Sequence, residues 1–175
     1  MKSRRIDDAL RRSARGDEEA FENLYREMRG GVYSFVYTYF NNPHDAEDVM
    51  QTVFLKVKLN LDKYRHGSNG VAWILEIAKN TSLTELARRK RFTELSDYET
   101  SASVDYNLDE GAPVTEAMNR VLSPEEKRII TLHVIWGYKF REIASALDMP
   151  TGTVTSKYKR AVDKLKTELK EDASR

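Results

Sequence analysis

The stretch KFREIASALDMPTGTVTSKYKRAVDKLKTEL, residues 139–169, holds two amphipathic segments, 140–147 and 153–169, hinged at Asp148-Met149-Pro150-Thr151. In the second segment Val154, Tyr158, Ala161, Leu165 and Leu169 recur at steps of three or four residues, so one helix face gathers them. Thr155, Ser156, Lys159 and Arg160 fall on another face. Asp148 tolerates a left-handed backbone better than most residues, and Pro150 disfavours a helical conformation at Met149. Thr151 is then placed to cap the second helix. The pattern is that of a helix-turn-helix. Hydroxyls and cations reach phosphates and base edges, and a helix N-terminus favours an anion, so the outer face has the chemistry of a DNA-reading surface. A solvated surface helix would show the same periodicity, and the rest of the chain has to choose between the two.

The 175 residues allow one domain or two small ones, and a unit of roughly 60 residues is only marginally stable alone. There is no cysteine, which removes disulfides and thiolate metal sites and is consistent with a reducing compartment. No apolar run approaches the roughly 18 residues of a membrane span, and the first 16 residues are charged throughout rather than signal-like. A soluble, cytoplasmic protein is expected. The formal charge of +1 hides a segregation. Residues 1–91 hold 17 Lys and Arg against 13 Asp and Glu, residues 92–115 hold none against 6, and residues 116–175 hold 12 against 9. Two basic blocks therefore flank an acidic one, and only the outer blocks suit a polyanion.

Residues 6–15 carry a short helical pattern, and Asp17 offers a cap for a longer one over 18–40. There Phe21, Leu24, Tyr25, Met28, Val32, Phe35, Val36 and Tyr39 keep helical spacing despite Gly30-Gly31. Asn41-Asn42-Pro43 stops that helix and starts the next, 44–61. In it Ala46, Val49, Met50, Val53 and Val57 pack inward, whereas Asp48, Gln51, Thr52 and Leu55 form a mixed stripe of the kind a protein partner covers. The acidic residues beside His44 complement the helix dipole and need no metal.

Residues 64–70 form a polar, glycine-rich connection in which Ser68 or Asn69 can cap the following helix. In that helix Ile74, Ile77, Ala78 and Thr81 face the core, with Trp73 at its border. Asn80, Thr84, Arg88 and Arg91 share a stripe ending in Arg88-Arg89-Lys90-Arg91, which suits a nucleic-acid strand or, equally, the helix's own C-terminus. Residues 92–115 lack periodicity and read as a flexible linker. Ser123-Pro124-Glu125-Glu126 is a capping box, opening a helix with Ile129, Ile130, Leu132, Val134, Ile135 and Trp136, apolar nearly all round and expected to be the core of a second domain. Gly137 ends it. The fold class is all-α, two small helical domains at 1–91 and 116–175. No repeat, phosphate loop or nucleophile elbow is present, and His44, His66 and His133 are scattered, so neither a catalytic site nor a cofactor is implied.

Two separated blocks together resemble the bacterial extracytoplasmic-function sigma factors. The first is Ala20-Phe21-Glu22-Asn23-Leu24-Tyr25, then residues 45–55 (DAEDVMQTVFL), then Ala72-Trp73-Ile74 through Asn80 to the basic run. The second is Leu122-Ser123-Pro124-Glu125-Glu126 through Gly137, then Glu142-Ile143-Ala144 and Gly152-Thr153-Val154-Thr155-Ser156 to Arg160-Ala161. The resemblance implies region 2 in residues 1–91 and region 4 in 116–175. It implies that Asp48, Gln51, Thr52 and Leu55 grip the β′ clamp of the RNA polymerase core enzyme, the β flap being a second contact. Tyr64, His66, Ser68, Asn69, Asn80 and Thr84 would serve the −10 element, the loop and Asn80 receiving a flipped base, while Arg88, Arg89 and Arg91 hold the backbone. Thr155, Ser156, Lys159 and Arg160 would enter the −35 major groove, and the acidic linker would thread the RNA path. An anti-sigma factor is implied as a further partner. Thr52 stands where an acidic residue is usual, Thr84 replaces a frequent Asp, and Thr155 and Lys157 replace frequent basic residues, so no promoter sequence is inferred.

Two rivals remain at this level. One is a helix-turn-helix regulator that binds duplex DNA without polymerase. The other is a metal-dependent nuclease built around Asp45, which lacks a companion ligand cluster.

Overall fold

The structure, a computed structural model, describes residues 2–95 and 112–172. The expected linker 92–115 lies largely outside the described residues. Its described ends are helical, because neither Phe92-Thr93-Glu94-Leu95 nor Ala112-Pro113 forbids it: proline is tolerated in a first helical turn. The chain divides into two compact units, with the division between Ala102 and Ser103. No strand occurs among the described residues.

The first unit is a bundle of α1 (Lys2–Ser13), α2 (Glu18–Phe40), α3 (Pro43–Leu59) and α4 (Gly70–Leu95), with a single 3-10 turn at Leu61–Lys63. Local chemistry sets the boundaries. Asp17 accepts the Ala20 N–H at 2.9 Å to start α2, and Asn41 stops it in the left-handed region at φ 51°. Asn42 then caps α3 through the Asp45 N–H at 3.2 Å, with Pro43 at the first helical position. Asn69, rather than Ser68, caps α4 by accepting the Ala72 N–H at 3.3 Å. Ile6, Leu10, Leu24, Val32, Val36, Val53, Val57, Ile74 and Ala78 are sealed from solvent between the four helices. Each large side chain so buried contributes about 1.5–3 kcal/mol. An edge-to-face pair, Tyr25 on Phe54 at 4.7 Å, joins α2 to α3.

The second unit holds α5 (Ala112–Val121), α6 (Pro124–Ile130), α7 (Phe140–Leu147) and α8 (Thr151–Asp172), with a π-helical turn at Thr131–Ile135 continuing α6. The capping box forms as expected: the Ser123 hydroxyl accepts the Glu126 N–H at 3.3 Å, and the Glu126 carboxylate accepts the Ser123 N–H at 2.9 Å. Leu122, Ile130 and Ala161 make a core with Met118, Val121, Tyr158, Val162 and Leu165 against it. His133 stacks on Phe140, and Tyr158 meets the first edge-on and the second at a tilt, all with ring centres within 5.1 Å, which links the π turn, α7 and α8.

One expectation is overturned here. The 124–136 segment is not apolar core on all sides, since Val134 and Ile135 are 64% and 48% exposed. Few helices pack around it, and a unit of roughly 60 residues cannot enclose one helix completely.

The hinge of the helix-turn-helix follows the backbone argument. Asp148 is left-handed at φ 54°, ψ 52°. The Met149 N–H reaches the Ala144 carbonyl at 2.9 Å and the Asp148 N–H the Ser145 carbonyl at 3.4 Å, a Schellman closure. Thr151 is the first residue of α8 instead of its cap, because the Pro150 carbonyl already takes the Val154 N–H at 3.1 Å and so fixes the helix one residue earlier.

Candidate nucleic-acid interface and partner surface

On α3 the inward face is fully used by Ala46, Val49, Met50, Val53 and Val57, all buried. Asp48, Gln51, Thr52 and Leu55 are left exposed on the opposite face, Leu55 by 59%. Leu59, which sequence reasoning did not single out, is 68% exposed. The signal was available: Asp48, Thr52, Leu55 and Leu59 follow one another at steps of four, three and four. Beside this stripe a groove of about 310 Å³ runs between α3 and α4, walled by Asp48, Thr52 and Lys56 on one side and Thr84, Glu85 and Arg88 on the other. The Lys56 ammonium closes part of it by donating to Thr81 at 3.2 Å.

The 64–70 loop and α4 sort the nucleic-acid candidates into two groups. His66, Ser68, Asn69, Asn80, Thr84, Arg88 and Arg91 are exposed. Tyr64 is not at that surface. It is 4% exposed, donates its hydroxyl to Asp7 of α1, and packs its ring 5.1 Å from Trp73. Burial, with the Asp7 carboxylate beside it, pushes the phenol above its ordinary range, so it stays a donor. No local period reveals that role, since its partners lie 57 and 9 residues away.

The basic run is likewise divided. Arg88 grips Glu85 with two bonds of 2.8 and 2.7 Å, which hold the Glu85 carboxyl down at about 2. Arg89 is half-buried, bonded to Asp45 at 2.5 Å and to Glu85 at 2.8 Å, and lies 5.2 Å from the centre of the Phe40 ring. One guanidinium thus ties the end of α2, the start of α3 and α4 together. Among the described residues Arg91 reaches the Ala87 carbonyl of its own helix, at 3.4 Å. Replacing Arg89 with alanine is expected to lower stability by about 1–2 kcal/mol, since solvent reaches part of the guanidinium and screens its ion pairs. Arg91→Ala should stay within about 0.5 kcal/mol. Thermal melts of the two variants check this, and equal melting temperatures would remove the structural role given to Arg89.

On α8 the four predicted residues lie side by side on the outer face. Ser156, Lys159 and Arg160 are exposed and Thr155 is partly so. Thr155 and Ser156 donate their hydroxyl protons to the Thr151 and Gly152 carbonyls at 3.0 and 2.9 Å, so both oxygens face outward chiefly as acceptors. The remaining cations divide by face. Lys157 pairs with Glu125 at 2.7 Å and Lys164 with Glu126 at 2.9 Å, seven residues apart on the side turned to α6. Among the described residues no three His, Asp or Glu side chains are grouped to hold a metal ion, and no helix is long and apolar enough to cross a membrane.

Comparison with known proteins matches residues 24–92 to Sigma-70 region 2 and residues 115–165 to Sigma-70, region 4. The ECF RNA polymerase sigma-E factor of Escherichia coli K12 is 31% identical over 170 residues, covering 87% of each chain. SigW of Bacillus subtilis, also an ECF RNA polymerase sigma factor, is 24% identical over 95% of this chain and 97% of its own. The fold is similar to that of the sigma factor RpoE of Bartonella quintana, solved with the anti-sigma factor NepR, at a TM-score of 0.71, 23% identity and coverage of 86% and 96%. It is similar also to CnrH, solved with the cytosolic domain of CnrY, at 0.67, 23% identity and coverage of 96% and 99%. Two units matched in order by regions 2 and 4, with relatives aligned along nearly their whole length, establish that this chain belongs to the extracytoplasmic-function sigma factors of the sigma-70 family.

Proposed function

We propose a division of labour for this sigma factor in promoter-specific initiation. The first unit, 1–91, docks on the polymerase core through Asp48, Gln51, Thr52 and Leu55. It takes a flipped −10 base at the surface formed by His66, Ser68, Asn69, Asn80 and Thr84, with Arg88 and Arg91 on the strand's phosphates. The second unit, 116–175, reads the −35 duplex through Thr155, Ser156, Lys159 and Arg160 and meets the β flap. The acidic segment 92–115 threads the RNA path. An anti-sigma factor, the kind of partner with which RpoE was solved, covers these surfaces in the cytoplasm until a signal removes it.

The observation that carries the reading is the exposed face of α3. A leucine 59% open to solvent, set among Asp48, Gln51 and Thr52, has no use inside the bundle, whose core is complete without it. A partner that buries it gains about 1.5–3 kcal/mol from that side chain.

Duplex opening is costly, and a site that binds the unstacked base offsets part of it. Asn80→Ala is therefore expected to slow open-complex formation by about tenfold, one good hydrogen-bonded contact, while −35 duplex binding stays unchanged. Run-off transcription with core enzyme, followed by permanganate footprinting of the −10 region, measures both. Transcription that never depends on the added protein would return the chain to the class of regulators that bind duplex unaided, and parallel loss of duplex binding in the variant would end the division of labour.

A further inference from the structure

The helix α1 lies outside the residues matched by region 2, and neither the sequence nor the comparisons give it a task. Its contacts supply one. A single carboxylate, Asp7, accepts from two points of the 64–70 loop: the Tyr64 hydroxyl on Oδ1 and the Gly67 N–H on Oδ2 at 3.3 Å. Gly67 is left-handed at φ 83°, a conformation that side chains rarely adopt. The same hydroxyl of Tyr64 lies 3.3 Å from the Ser68 carbonyl, tightening the turn between them. Gly70 completes the seating. A Cβ there would lie 2.7 Å from Cδ1 of Leu10 and 3.3 Å from Cγ2 of Ile6, so the chain passes directly over α1. Positions 64, 67 and 70 are thus pinned to α1, and His66, Ser68 and Asn69 between them remain exposed.

We infer that Asp7 is a positioning residue for promoter opening, holding the 64–70 loop in the shape in which it receives the unstacked base. The inference rests on the base-capture reading proposed above. Its physical content is preorganisation. A loop already fixed by α1 loses little conformational freedom when a base binds, whereas an untethered loop loses that freedom at the moment of capture. Such an effect falls on opening and spares duplex recognition by the second unit.

The test uses full-length protein and its holoenzyme with core polymerase. Asp7→Ala, Asp7→Asn and Tyr64→Phe are compared for amide exchange at Gly67 and Ser68, for duplex promoter binding, and for opening followed by 2-aminopurine fluorescence in the −10 element. Asp7→Ala is expected to speed exchange, to slow opening about tenfold, and to leave duplex binding within about twofold. Asp7→Asn keeps an acceptor for Tyr64 but presents an amide N–H₂ to the Gly67 N–H, so it should fall between wild type and alanine, as should Tyr64→Phe. A promoter with a premelted −10 bubble should recover most of the loss.

Wild-type opening rates in these variants, or opening and duplex binding lost in parallel, overturn the inference. Should Asp7→Ala fail to fold, Asp7→Asn and Tyr64→Phe decide it. Asn80→Ala separates the two readings. If it opens normally, base capture is wrong and the Asp7 inference goes with it; if it opens slowly while the loop variants open normally, Asp7 alone is refuted.

Discussion

Glu126→Ala is expected to destabilise the second unit by about 1–3 kcal/mol, the cost of stranding the Ser123 N–H that its carboxylate accepts. Glu126 is 5% exposed and its carboxylate serves two groups at once. It accepts the Ser123 N–H, closing the capping box that starts α6, and receives the Lys164 ammonium of α8 at 2.9 and 3.1 Å. In a unit this small, whose whole stability is on the order of 5 kcal/mol, that loss is a large share. Burial by itself would raise the Glu126 carboxyl, but the Ser123 backbone and Lys164 outweigh it and hold the group below its ordinary value of 4.5. A depressed folded pKa contributes stability that is present above the unfolded value and is lost as pH falls through the folded one. Wild type should therefore weaken below about pH 4.5, and Glu126→Gln should flatten that acid limb while keeping an acceptor for Ser123. Denaturant titrations at pH 7 and pH 3 read both effects. A wild-type midpoint for Glu126→Ala at pH 7 would show that the buried carboxylate is dispensable.

The contrast between Glu126 and Arg89 explains how much of this molecule could be read from its residues in order. Glu126 was legible because its first partner, Ser123, is three residues away and the spacing is a local rule. The same holds for Asp17, for Asn42-Pro43 and for the left-handed Asp148, where backbone chemistry acts within one turn. The inward faces of α2, α3 and α8 were legible because helical periodicity fixes which side chains go together. Periodicity does not say what lies opposite. Arg89 stands in a run of four cations that reads as one surface, yet its neighbours Asp45 and Phe40 are more than 40 residues earlier and remove it from that surface. Tyr64 was misplaced for the same reason, its carboxylate partner being on α1. Val134 and Ile135 were assigned to a core because their own helix is apolar, whereas exposure depends on how many other helices are near. The other −10 candidates stay exposed on the first unit, Asn80 among them, as Arg160 does on the second.

That sorting makes Arg160 the sharpest probe of the second unit. Replacing it with alanine is expected to weaken binding to a −35 duplex by ~1–3 kcal/mol, roughly 5- to 150-fold, with relaxed preference at a single base pair. Lys157 and Lys164 are held by Glu125 and Glu126 on the α6 side, so alanine at either should appear in thermal stability before it appears in DNA binding. Thr155 and Ser156 have committed their protons to backbone carbonyls, which leaves donation on this face to cations. Among the described residues Lys159 and Arg160 have no ion pair to break before they meet DNA. Arg160 alone has the planar fork that engages a guanine edge with two bonds, while Lys159 acts as a point charge on phosphate. The two roles separate by salt. Lys159→Ala should lower the slope of log K against log salt by about 0.9, one released counterion, and should weaken all sequences alike. Arg160→Ala should leave the slope nearly intact and flatten the sequence preference. If Arg160→Ala instead costs the same on every sequence and takes the salt slope down with it, the guanidinium is on the backbone, and base reading on this face has to come from the acceptor oxygens of Thr155 and Ser156.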